Sequence, residues 1–258
     1  MATVNNFLFF KRNFLNTEVT FTSDFGFTTV DQFSNLFDNN RDTLLKTSGA
    51  SGDLLERWTF TFSESTTIDA LHLDNINIKT GSFEFFDGFV WVSIVTINNT
   101  ALDETLYFEF SSVSATQFRL VLTSSFDASE YFVGQLRMLL KLGSLECNPQ
   151  DYTPLFIEAG TLNTTSTGQN VKVIFNERYG CKIDFEPAFD DDMDLLRSLK
   201  NLKEPFTVFP SGGIDQTEVG FRLRDIFTVN YTNPFNPKPR ANLFAIGQNI
   251  SVTLKEAG

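Results

Sequence analysis

The densest group of chemistry-bearing side chains in this chain is the run Asp190-Asp191-Asp192-Met193-Asp194. Carboxylates at the first, third and fifth places open an EF-hand loop, because a hard cation takes oxygen ligands there. Asp190, Asp192 and Asp194 meet that spacing, but Leu195 stands where glycine is needed and Asn201 where a bidentate glutamate is needed. The run suits instead the first turn of a helix, where carboxylates cap free amides and meet the positive end of the dipole. No metal site is predicted from it.

His72 is the sole histidine, and it sits between Leu71 and Leu73. In a strand that alternation turns it away from the leucines, so it is expected on the surface, and nothing nearby in sequence would activate it. Cys147 and Cys181 are too few for a disulfide scaffold and, with one histidine, too few for a structural zinc site. One bridge between them stays open. The glycines fit neither a Walker A nor a dinucleotide-binding pattern, and no phosphate-cradling loop is predicted. With no catalytic residue and no cofactor indicated, the chain is not expected to be an enzyme.

Two stretches could bind. Asp24-Phe25-Gly26-Phe27 places two phenyl rings around a glycine in a predicted loop. Phe25 and Phe27 could stack on an apolar or sugar surface while Asp24 accepts hydrogen bonds from hydroxyls; the alternative is that both rings plug the end of a core. Phe235 lies in the proline-rich stretch 233–239 and is a candidate interface residue, since a ring on a stiff exposed loop loses little entropy on docking.

The elements that must position these residues are mostly strands. Trp58-Thr59-Phe60-Thr61-Phe62 and Leu71-His72-Leu73 alternate with a period of two, which puts the large rings on one buried face. Further strands are predicted at 82–86, 89–97, 106–110, 117–123 and 134–142, with Asp87-Gly88 as a hairpin turn. The spacing is that of an antiparallel sandwich. The signal fades between residues 146 and 169, through Asn148-Pro149 and the Thr161–Gly168 stretch, which predicts a linker. Strands then resume at 171–175, 181–185, 206–209, 220–229 and 249–254. Near 191–202 the leucines at 195, 196, 199 and 202 recur at helical spacing until Pro205.

The expected fold is therefore mainly β: a sandwich over 1–145, a linker over 146–169, and a second β-rich domain with one short helix over 170–258. The 30 phenylalanines predict cores built from stacked rings. A formal charge of −12, with no basic run longer than Lys11-Arg12, excludes a nucleic-acid partner. The apolar patch Phe7–Phe10 precedes Lys11-Arg12, the reverse of a secretory leader, and no apolar run reaches membrane length. A chain made in the cytoplasm, without membrane insertion, is expected.

Several of these pieces, taken in order, resemble a family. Ser34-Asn35-Leu36-Phe37-Asp38, Trp58–Phe62, Ile68–Leu73, Phe85-Phe86-Asp87-Gly88-Phe89-Val90-Trp91, Ala115–Leu120 with its arginine, and Tyr131–Leu136 are similar to discoidin-like (galactose-binding-like, coagulation factor type C) modules. The short form found in phage virion proteins is the nearest likeness; Leu45 stands where many relatives have tryptophan. Tyr179–Ile183, Leu199–Phe206 and Ile250–Lys255 resemble domains of phage tail and baseplate proteins. The resemblance implies a jelly-roll sandwich and a structural component of a phage tail or baseplate. It would be made in the host cytoplasm, located in the virion, and assembled with itself and other virion proteins. Its alternative implication is a carbohydrate-binding, host-adhesion module that takes a surface glycan.

Overall fold

The structure, a computed structural model, describes residues 7–24, 30–40, 42–47, 55–100, 102, 104–126, 130–145, 149–164, 170–188, 190–209, 226–232, 238–239 and 248–256. The described residues are mainly β, antiparallel and with one α-helix, as the strand pattern predicts. Two compact units are present: residues 13–141, and a second that joins 1–12 to 142–258. The expected division at 145 is thereby corrected at its start, because the first strand, β1 (Phe7–Lys11), pairs with residues near 206–209.

The 13–141 unit contains β2 (Thr20–Ser23), a 3-10 helix (Val30–Leu36), β3 (Leu45–Lys46), β4 (Glu56–Ile76), β5 (Ile78–Phe86), β6 (Trp91–Asn98), β7 (Glu104–Ser125) and β8 (Phe132–Leu139). Its frame is the long β4–β7 ribbon. The sequence pattern breaks each of these strands in two, but both run through, with register shifts near Thr61/Thr66, Ile68/Ala70 and Leu73/Ile76. Such bulges let a ribbon bend without giving up its pairing. Asn75, at the last shift, takes φ 54°, a left-handed value that asparagine tolerates better than most residues.

Beyond the first bend β4 changes its outer neighbour. Thr59 and Thr61 lie beside β2, whereas Ala70 to Ile76 lie beside β8. One layer therefore reads β2-β4-β7-β5-β6 and the other β3-β8-β4-β7. Trp58, Phe60, Phe118 and Leu120 from the first layer and Ile68, Leu71, Leu136 and Met138 from the second share one core. Phe83 stacks on Phe118 at 5.9 Å, and Phe21 on Phe33 at 4.6 Å, so phenyl rings do fill the space between layers.

The second unit is described by β9 (Lys141–Leu145), β10 (Pro149–Thr164), β11 (Asn170–Ala188), α1 (Asp190–Asn201), β12 (Phe206–Phe209), β13 (Phe227–Tyr231), β14 (Lys238–Pro239) and β15 (Gln248–Glu256). The sheet order is β10-β11-β15-β13-β12-β1-β9, with β14 also on β15. The expected linker at 146–169 is overturned by β10, which pairs with β11 from Pro149 to Thr164. Its prolines are accommodated because β10 is an edge strand, and its threonines are good strand formers.

Helix α1 buries Met193, Leu196 and Leu199 against Phe7, Phe9, Phe206, Val208, Val229 and Leu254. The expected stripe is corrected at its end: Leu202 lies past the helix and is exposed, while Met193 takes part. Among the described residues no helix is long and apolar enough to cross a membrane.

Candidate functional site

Of the four candidate binding and interface residues, Asp24, Phe25, Phe27 and Phe235, only Asp24 is described. It is exposed, and its carboxylate accepts from the Arg57 guanidinium at 2.8 Å while its N–H donates to the Arg57 carbonyl. Phe25, Phe27 and Phe235 lie outside the described residues, so no assembled group is seen at either predicted place.

The structure builds a different arrangement on the outer face of the five-stranded layer. Because Trp58, Phe60, Phe118, Leu120 and Phe83 point into the core, their neighbours along each strand point outward. Register aligns Thr22, Thr59, Arg119, Glu84 and Ser93 in one row across all five strands. In the next row Thr20 pairs with Thr61, Thr61 with Gln117, and Phe86 with Trp91.

At the β5–β6–β7 end of these rows four side chains interlock. The Arg119 guanidinium lies over the Trp91 ring, 4.2 Å from its centroid, and Phe86 leans on the same indole at 5.3 Å. Arg119 donates from Nε and Nη2 to Glu84 Oε2 at 2.7 and 2.6 Å, and Ser82 donates to Glu84 Oε1 at 2.8 Å. Arg119 and Glu84 are each less than a fifth exposed, so the pair is fixed in place, while Trp91 and Phe86 stay half-buried with surface left open. A planar cation, its carboxylate and an indole held together can meet both the apolar and the hydroxyl side of a ligand.

Beside them the β5–β6 turn projects. The sequence places Phe89 and Val90 in a strand; they instead lie in a turn from Asp87 to Val90, and Phe89 is 91% exposed. Asp87 Oδ1 accepts from the backbone N–H groups of Phe89 and Val90, both at 2.8 Å, and Gly88 supplies the φ of 105° that the turn needs. The Val90 amide, then the Phe89 amide, hold the Asp87 carboxyl below its usual range.

A second polar group lies on the outer side of the other layer. His72, expected at the surface, is fully buried. Alternation does turn it away from Leu71 and Leu73, but Asp74, Gln135 and Arg137 on that side are buried too. Arg137 Nη1 donates to His72 Nδ1 at 3.2 Å. Burial pulls the Arg137 guanidinium down to about 10, against the opposing pull of Asp74 and Asp38, and leaves it cationic at neutral pH.

Gln135 Nε2 stands within 3.0 Å of the Asn35 and Asn40 carbonyls, Asp38 Oδ1 and the Gly134 carbonyl, while its Oε1 is buried without a hydrogen-bond partner. Turned about its last bond, Gln135 would add an oxygen to those of Asn35, Asp38 and Asn40. That is the donor type a hard cation takes, though with one carboxylate and fewer oxygens than calcium usually gathers. Among the described residues no group of three or more His, Cys, Asp or Glu could hold a metal ion.

The sequence signal for the Trp91 cluster was partial. Phe86 and Trp91 flank an Asp-Gly turn and so are readable as a cross-strand pair. Arg119 joins them only through β5–β7 pairing, which local periodicity does not encode.

No protein-family model matches the chain, and no curated protein matches it. Among solved structures it is similar to chitosan-binding module 1 of a chitosanase/glucanase from Paenibacillus sp. IK-5, at 14% identity and a TM-score of 0.43, covering 50% of this chain and 98% of that one. It is similar also to CBM32-1 from a family 31 glycoside hydrolase of Clostridium perfringens, at 15% identity and a TM-score of 0.41, covering 48% and 94%. Chitosan-binding module 2 of the Paenibacillus enzyme, solved with chitotriose, stands at 13% and 0.40, covering 48% and 96%. Likeness at this level assigns no ligand to the chain.

Proposed function

We propose that the 13–141 sandwich is a non-catalytic carbohydrate-binding module, and that sugar is recognised on the outer face of its five-stranded layer around Trp91. The observation that carries this reading is the fixed group of Trp91, Phe86, Arg119 and Glu84. A sugar presents C–H faces to aromatic rings and hydroxyls to planar polar groups, and both partners stand side by side here. Calorimetric titration of the full chain against a panel of soluble polysaccharides tests it. Trp91→Ala is expected to weaken binding by at least about tenfold, with the melting temperature little changed. Binding that survives Trp91→Ala unaltered would overturn the reading.

A second reading, a structural component of a phage tail or baseplate that assembles with itself and with other virion proteins, is favoured by the Phe89–Val90 tip. A phenyl ring 91% exposed on a turn tied down by Asp87 is suited to plugging into a neighbouring protein. Light scattering on the purified chain and its stoichiometry in purified particles test this. A chain that is monomeric and absent from virions would sink it, and Phe89→Asp should break an assembly held by the tip.

A further inference from the structure

Resting on the carbohydrate-binding reading, we infer that the ligand is a stretch of extended, neutral polysaccharide lying across the strands rather than a single terminal sugar. The recognition group lies on the outer face of the five-stranded layer. It stands at one end of a row of hydrogen-bonding side chains that continues over β5, β7, β4 and β2 as Glu84, Arg119, Thr59 and Thr22. Beside that row Thr61 and Thr20 repeat the pattern, and Gln117 Nε2 donates to Thr61 Oγ1 at 3.3 Å. Adjacent strands lie about 4.8 Å apart, close to the length by which an extended chain of linked pyranoses advances per ring. A polymer crossing the strands would therefore meet a fresh hydroxyl, amide or charged group at each sugar, whereas a lone sugar over Trp91 would leave the threonine end unused.

The charge on this face selects the polymer. Two cations on this face are already matched: Arg119 by Glu84, and Arg57 by Asp24. A polyanion would find no unmatched cation among them and would face a chain of net charge −12. A neutral glycan loses nothing by this arrangement, because each ionised group still offers directed donors or acceptors to hydroxyls.

The experiment titrates the full chain with three neutral polymers (xyloglucan, galactomannan and mixed-linkage glucan) and two acidic ones (alginate and polygalacturonate). Size-fractionated oligosaccharides of the tightest binder follow. The expected result is affinity that climbs with each sugar up to about four or five, the number of strands crossed, and neutral polymers bound in preference to acidic ones. The double variant Thr22→Val, Thr59→Val, which keeps side-chain shape and β-propensity, should weaken the longest oligosaccharide about tenfold and leave the monosaccharide unchanged. Trp91→Ala should weaken both. A monosaccharide that binds as tightly as the polymer, an acidic polymer that binds best, or threonine variants without effect would each overturn this inference while leaving carbohydrate binding intact. Failure of every glycan to bind the wild-type chain would sink the underlying reading itself.

Discussion

Arg137 cannot accept a hydrogen bond, so its contact with His72 Nδ1 requires that nitrogen to be unprotonated and the ring neutral with its proton on Nε2. A buried guanidinium that loses an acceptor bears a desolvation penalty. His72→Leu should therefore destabilise the sandwich by about 3 kcal/mol, whereas His72→Asn, whose Oδ1 can take the place of Nδ1, should cost about 1 kcal/mol. Urea unfolding of both variants separates the cases; equal losses would show that ring volume, not the acceptor, matters. Tyr231 presents the opposite situation. Its hydroxyl is buried with no hydrogen-bond partner among the described residues, and burial raises its phenol to about 12. Because the folded value lies above the unfolded one of about 10, its contribution is intact below pH 10 and is lost as pH rises from there through 12. Tyr231→Phe should leave stability at pH 7 unchanged or slightly higher. It should also shrink the drop between pH 9 and pH 11 by on the order of 1 kcal/mol, after discounting for the ring's partial exposure.

Strand pairing is sensitive to the smallest side chains. A Cβ on Gly81 would stand 2.3 Å from the Val121 carbonyl oxygen, a backbone atom of the neighbouring β7 strand. Only separation of β5 from β7 could relieve that clash, so Gly81→Ala should cost about 2–3 kcal/mol and disturb the seating of Glu84 beside Arg119. A Cβ on Gly143 would meet the Leu195 methyl carbons at 2.8 and 2.9 Å. A leucine side chain can turn aside, so Gly143→Ala should cost under about 1 kcal/mol. Thermal unfolding of the two variants gives the comparison, and a Gly143→Ala loss as large as that of Gly81→Ala would refute it. The same elements show what was readable beforehand. Trp58, Phe60 and Phe62 announce the inward face of β4, and the helical spacing between the acidic run and Pro205 places α1 near 191–202, one residue from its observed span at each end. The continuation of β4 through Ser63-Glu64-Ser65 was not readable, because an exposed polar bend looks like a break unless the partner strand is known to follow it.

For the whole molecule the decisive feature is β1. Phe7, Leu8, Phe9 and Phe10 are all buried, in a strand placed between β12 and β9. A segment buried on both faces reads as a continuous apolar run rather than an alternating one. A fragment of residues 13–141 should thus fold cooperatively and stay monomeric. Residues 1–145 would carry β1 and β9 without β12, leaving one edge of β1 unpaired and its phenyl rings exposed, and should aggregate. Size-exclusion chromatography and thermal unfolding of the two fragments decide between the boundaries; a well-behaved 1–145 and an unfolded 13–141 would reverse the assignment.

Periodicity, turn residues and capping carboxylates are local, and they determined what the sequence alone could: a mainly β chain with one helix, a ring-built core and a turn after Phe86. Tertiary structure decided the rest, because a strand's pattern specifies which side is apolar but not which strand lies beside it. That choice put β1 with the far end of the chain, buried His72 against Arg137, and set Arg119 over Trp91 across 28 positions of sequence. Each follows from hydrogen bonds and burial between distant segments, whose free energy depends on all partners being in place at once.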